Sequence, residues 1–272
     1  MGRLHEAAGY LRGALAIARD IGSPQTASVM NNLGCVCHAM GRLDDARDLL
    51  QRVIEMRADN PASCCLPLGN LATVHRDAGR LGDAFDCARD AVSTARASGS
   101  RQAEGINLNV LGSIHHKLND SHRAAQTHAQ ALRVGHEIGN RTIEIDALAG
   151  LAAAYRRLGR LHDALNLANQ ALETARQTGS RRYEGVALAE VAEAHLALGD
   201  HSLAAHRAEL AIDIHRRTGH RLSEARCLVT LGDARGATAA EPCWLQALEI
   251  LTAAGSAEAD TIRALLAPLH GD

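Results

Sequence analysis

The side chains that could do chemistry here are cysteine and histidine. There are seven cysteines (Cys35, Cys37, Cys64, Cys65, Cys87, Cys227 and Cys243) and fifteen histidines. A structural zinc site needs four ligands in tetrahedral reach, usually from short paired spacings. Cys35 and His38 lie three apart and share a helix face, but Cys37 points elsewhere, so a closed set is missing. Cys64-Cys65 is not a CxxC pair. His115, His116, His122 and His128 surround one turn without the i, i+4 spacing of a helical zinc site. Only one lysine occurs, Lys117, and no Gly-Lys-Ser/Thr follows a glycine-rich loop, so a P-loop is excluded. Gly-x-Ser-x-Gly, His-Glu-x-x-His and a GxGxxG after a strand are all missing. Adjacent carboxylates such as Asp44-Asp45 sit at helix starts, where the helix dipole favours them. The sequence therefore predicts no catalytic residues, no metal and no cofactor, and a protein that is not an enzyme.

The elements that carry these residues are helices. Hydrophobic residues make up 46% and charged residues 22%, which is enough to fold. Aromatics are only 2%, and the apolar content is drawn from Ala and Leu, which favour helix over strand. The 29 basic and 31 acidic residues are interleaved and leave a net charge of −2. The electrostatic term that nucleic-acid binding needs is missing, so no direct nucleic-acid contact is expected. No run of about 18 apolar residues could span a bilayer. The N-terminus has no apolar signal core, and the odd, irregular cysteines suggest no disulfide framework. A cytoplasmic protein without a membrane segment is the expectation.

An internal repeat sets the organisation. Gly-Arg-Leu-x-x-Ala occurs at 2–7, 41–46, 79–84 and 159–164, with degenerate copies at 119–124 and 199–204, a period of 38–40 residues. A small residue after an apolar one precedes most starts: Leu33-Gly34, Leu71-Ala72, Leu111-Gly112, Leu151-Ala152 and Val191-Ala192. Each repeat thus holds two helix-periodic segments closed by turn residues. Ser23-Pro24, Ser100, Asn140 and Ser180 mark helix starts. Glu104, Glu144, Glu184 and Glu224 fall in first turns, where the dipole favours them. This divides 1–272, as a single repeat domain, into an orphan helix at 3–21 and helix pairs at 23–58, 61–98, 100–138, 140–178, 180–218 and 220–254. A capping helix follows at 257–269.

Within a repeat the order is Leu-Gly, an aromatic or His, Gly, Ala, then two apolar positions. It reads Leu33, Gly34, Cys37, Gly41, Ala46, Leu50 and Val53 in one copy, and Leu151, Ala152, Tyr155, Gly159, Ala164, Ala168 and Ala171 in another. This resembles the tetratricopeptide repeat over essentially the whole chain, with a period near 40 instead of the usual 34. The resemblance implies an all-α solenoid of antiparallel helix pairs, a right-handed superhelix of about six and a half repeats. The long, Ala- and Arg-rich form is similar to the C-terminal arrays of SARP, LuxR and MalT-like bacterial transcription regulators.

In such arrays the first helices line a concave groove. Carried over by repeat position, its lining would include Asn31, Cys35, His38, Asn70, Thr73, Arg76, Asn109, Ser113, His116, Lys117, Arg156 and Arg157. Asp77, Asp146, Glu190, Glu193, Arg226 and Asp233 fall in the same rows. Asn side chains can pair with an extended peptide backbone, and Arg or Lys with its carboxylates. The implied function is a non-catalytic interaction or sensor scaffold for a peptide, protein segment or small effector, in transcriptional regulation. The alternative is a free-standing adaptor that self-assembles as a homodimer through the N-terminal helix; an enzyme on a helical-repeat frame is the third.

Overall fold

The computed structural model describes residues 2–270, without the side chains of 2, 3, 237, 238 and 270. Helix α1 (Gly2–Asp20) leads a series of antiparallel pairs. These are α2 (Thr26–Ala39) with α3 (Leu43–Met56), α4 (Cys65–Asp77) with α5 (Leu81–Ala97), and α6 (Arg101–Lys117) with α7 (Ser121–Ile138). Then come α8 (Arg141–Arg157) with α9 (Leu161–Gln177), α10 (Arg181–Ala197) with α11 (His201–Thr218), and α12 (Arg221–Arg235) with α13 (Ala237–Ala253). Helix α14 (Glu258–His270) ends the series, and a short 3-10 turn, Pro61–Cys64, leads into α4. No strand occurs among the described residues.

The turns inside four pairs place Gly41, Gly79, Gly159 and Gly199 at positive φ. Asn119 takes that place in α6–α7 at φ 61°, which Asn tolerates better than other side chains. Caps differ from the sequence expectation. Ser100 and Asn140 accept backbone N–H bonds from the first turns of α6 and α8. The Ser180 hydroxyl makes no cap bond, and α2 starts at Thr26, later than Ser23 suggested.

Helices approach closely where one side is small. Ala46, Ala84, Ala124, Ala164 and Ala204 occupy one repeat position and are fully buried. Where a larger side chain enters, a glycine faces it. A Cβ at Gly34 would lie 3.0 Å from Leu50, and one at Gly232 would lie 2.6 Å from the Trp244 indole nitrogen. His128 in α7 is the extreme case. Its ring lies against Gly112 of α6 and Gly150 of α8, and a methyl at either glycine would collide with it. The corresponding places in other second helices hold Leu50, Ala88, Ala168 and Ala208.

A recurrent ion-pair clamp ties four of the five turns between pairs. Glu104, Glu144, Glu184 and Glu224 each receive the Arg three residues before: Arg101, Arg141, Arg181 and Arg221. Each also meets a second basic side chain eight residues before, from the preceding helix: Arg96, His136, Arg176 and Arg216. Three of these carboxylates are buried, so the clamp and not the dipole alone explains their recurrence.

First helices contact first helices along the series (α2 with α4, α4 with α6, α6 with α8, α8 with α10, α10 with α12), whereas second helices lack comparable contact with one another. The first helices therefore form the shorter, inner side of a curve. The curve returns on itself. Leu4 of α1 lies against Gly219 before α12, and Gly41 after α2 faces Ala254 after α13. Gly79 after α4 faces Ala257, so closely that a side chain at Gly79 would collide with it. One apolar core cluster runs from Ala8 to Leu266.

Candidate functional site

The inner faces of the first helices form a polar concave surface, the lumen side of the solenoid. Most of the residues predicted for the groove lie there, held by partners on the next first helix. Asn70 donates its amide to Asn31 at 3.0 Å. Arg76 donates to the Ser113 hydroxyl at 2.7 Å, and Arg156 pairs with Glu193 at 3.2 Å. Glu193 also accepts from the Thr230 hydroxyl at 2.6 Å. These polar rungs link α2 to α4, α4 to α6, α8 to α10 and α10 to α12.

Asp77, at the end of α4, is the hub. Its side chain is 1% exposed, and it accepts from Arg76 and Arg226, each at 2.9 Å, and faces His38 Nε2 at 2.8 Å. Burial alone would raise its pKa; Arg76, Arg226 and His38 instead hold the carboxyl well below the usual range. Arg226 also donates to Glu258 at 2.8–3.1 Å, and Lys117 donates to the same carboxylate at 2.8 Å. Burial works against the Glu258 charge, but Arg226 and Lys117 bring its pKa down to about 2. Ser256 donates its hydroxyl to the Asp77 carbonyl at 2.9 Å.

Elsewhere the lumen carries polar groups with few partners. The guanidinium of Arg182 stands over the Tyr183 ring, 5.1 Å from its centre, and meets no carboxylate within ion-pair distance. Burial raises the Asp146 carboxyl to about 6, against the pull of Arg182 and Arg76. Burial likewise raises Glu190 to about 7, and one of its oxygens has no partner. His116 is lowered to about 4 by burial and by Arg157, Arg156 and Lys117, with Nδ1 unpaired. Cys35 faces the same space; burial raises its thiol although Arg182 opposes this.

Four predicted residues sit differently. Asn109 is buried between α6, α7 and α8, where it donates to the Ile143 carbonyl and faces His128. Thr73 bonds back to the Gly69 carbonyl of its own helix. Arg157 is exposed and bonds Asn119 at the turn. Asp233 receives the Trp244 indole N–H at 3.0 Å and serves packing of α12 on α13. Ser256 and Glu258 were not anticipated, because nothing in the repeat pattern places the α13–α14 turn against α4. Among the described residues, no group of three or more His, Cys, Asp or Glu is placed to hold a metal ion. No described helix is long and apolar enough to cross a membrane.

Among the described residues, six consecutive antiparallel helix pairs between α1 and α14, inner first helices and small residues at one phase define a tetratricopeptide-type solenoid. The MalT-like TPR region model matches residues 1–207, and the chain belongs to that family. A Rap protein solved in complex with Competence and Sporulation Factor is similar in fold, with a TM-score of 0.72 at 10% identity, covering 98% of this chain and 81% of that one. A signal-transduction ATPase with a tetratricopeptide repeat sensor from Pyrococcus horikoshii gives 0.60 at 16% identity, covering 97% of this chain and 41% of that one. Protein KINESIN LIGHT CHAIN-RELATED 3 of Arabidopsis thaliana is 28% identical over 120 residues, which is 41% of this chain and 18% of that protein.

Proposed function

We propose that the chain is a non-catalytic interaction or sensor scaffold. Its binding face is the lumen formed by the first helices, and its partner is a peptide, a protein segment or a small effector. The observation that carries this reading is a set of underused polar groups on one inner surface: a Glu190 carboxylate oxygen and His116 Nδ1, both buried without a partner, beside half-buried Asp146 and the exposed guanidinium of Arg182. Buried polar groups normally find partners, and those left over are suited to a ligand that brings them. The Rap protein is complexed with Competence and Sporulation Factor and the ATPase carries a tetratricopeptide repeat sensor, which supports the same use of this fold. Transcriptional regulation in the cytoplasm of a bacterium is the setting that membership of the MalT-like family supports. The test is affinity capture with the full chain, followed by titration of the captured partner. Arg156→Ala with Arg182→Ala is expected to weaken that partner at least tenfold, by removing charge-assisted bonds of about 1.5–3 kcal/mol each. Unchanged affinity in the double variant rejects the lumen as the binding face.

A second reading rests on α1. Tyr10 is 80% exposed and Ile17 63% on α1, and Ile21, just after it, 72%, at spacings that put them on one stripe. In an adaptor this stripe is the contact between two copies. Light scattering is then expected to show a dimer that Ile17→Glu converts to monomer. A wild-type chain that is monomeric at tens of micromolar excludes it.

A further inference from the structure

The most connected polar cluster of the molecule joins parts of the chain that no helix-pair stacking would bring together. Arg226 reaches Asp77 across 149 residues, Lys117 reaches Glu258 across 141, and Ser256 reaches the Asp77 carbonyl across 179. The last two are made by the α13–α14 turn and the first residue of α14, which sit at the C-terminal ends of α4 and α6; the first joins α12 to the same Asp77, and Arg226 also holds Glu258. The surfaces beside this cluster are thin. Ala254 on Gly41, Ala257 on Gly79 and Leu4 on Gly219 are small contacts, with a glycine on one side of each. Stacking between successive pairs would persist without any of them.

We propose that the α13–α14 turn is an ionic latch that closes the solenoid into a ring, and that release of Glu258 from Lys117 and Arg226 opens the lumen to its partner. Three features fit a latch better than a fixed core contact. The joint gathers Arg76, Arg226 and Lys117 around Asp77 and Glu258, beside the alanine-on-glycine contacts that close the rest of it. Glu258 and Lys117 are partly exposed, at 22% and 37%, so water and salt reach the joint. The latch also engages the predicted groove: Lys117 is taken up by Glu258, and Asp77, which holds Arg76 and His38, is met by Arg226 and Ser256 from across the closure. The gating consequence rests on the lumen being the binding face; the ring closure itself does not.

Lys117 is the sole lysine of the sequence, which gives a clean probe. A water-soluble carbodiimide activates the Glu258 carboxylate, the Lys117 amine displaces the urea, and an amide forms with loss of one water. Peptide mass spectrometry of the full chain is expected to show the Lys117–Glu258 link at low salt, with a yield several-fold lower in 0.5 M sodium chloride. Glu258→Gln is expected to abolish the link, enlarge the radius of gyration in small-angle X-ray scattering, and speed deuterium uptake at 254–266 and around Asp77, but not in α8 and α9. If Glu258→Gln does not fold, Lys117→Gln keeps the Asp77–Arg226 pair and is expected to show the same changes to a smaller degree. No link at low salt, a salt-independent yield, or an unchanged radius and exchange in the folded variant overturns the latch. None of these readouts needs a partner, so failure of the latch and failure of partner binding are told apart.

Discussion

Asp77→Ala is expected to lower stability by about 3–5 kcal/mol, the range for removing one member of a buried charge pair. The carboxylate is almost fully enclosed and meets two guanidinium groups, Arg76 and Arg226, and the His38 ring. Truncation leaves Arg76 with only Ser113 and leaves Arg226 leaning on Glu258 alone. The low end of the range applies if water enters to solvate the two guanidinium groups. Asp77→Asn keeps the shape and an acceptor oxygen, so its cost is expected to be roughly half. Urea unfolding followed by circular dichroism separates these values. An Asp77→Ala chain within 1 kcal/mol of wild type would show that the hub is a surface network, not a buried one.

The hub also shows where sequence reading stops. Helix pairing was legible because the signal is periodic. Leu33-Gly34, Gly41 and Ala46 recur at one phase, and a period near 40 admits two helices and two turns. The direction of the inner face was legible too, since it follows from which helix of each pair comes first. What was not legible depends on the small rotation between successive pairs, which no residue encodes locally. That rotation decides whether residue 77 meets residue 256, and so whether Lys117 faces an empty groove or the Glu258 carboxylate. Asn109 failed for a different reason. Its neighbours in the inner row, Arg76 and Ser113, do face the lumen. The bulky His128 below it, however, draws the amide into the junction between α6, α7 and α8. The Arg-x-x-Glu clamp was visible at 101–104, 141–144, 181–184 and 221–224. Its second basic side chain, eight residues earlier, carries the explanation, and that requires knowing that the preceding helix ends beside it.

The same buried groups make stability depend on pH, and the direction follows from where each proton sits. Burial lowers His128 to about 3, and His116, His215 and His220 to about 4, the last three with help from nearby arginines or histidines. Unfolded, each of them takes up a proton below about 6.5. Between roughly pH 4 and 6.5 the unfolded chain therefore binds these four protons and the folded chain does not, so stability falls as pH falls. Asp146 and Glu190 act in the opposite sense. Raised to about 6 and about 7, they are protonated in the folded chain and ionised in the unfolded one, so their contribution is present at low pH and lost as pH rises through those values. Near pH 5.5 four histidines oppose two carboxyls, a net of about two protons, or roughly 2–3 kcal/mol per pH unit in favour of higher pH. Below about pH 4.5 the depressed carboxyls of Glu258 and Asp77 add to the loss, because their stabilisation disappears as they are protonated. The urea midpoint is thus expected to drop steeply from pH 6.5 to 4.5. His128→Leu, an apolar side chain in the slot between Gly112 and Gly150, is expected to reduce the slope by about one proton, whatever it does to the midpoint at pH 7. A wild-type midpoint that stays level over this interval would mean that water reaches the His128 and His215 rings and that the repeat junctions holding them open readily in the native chain.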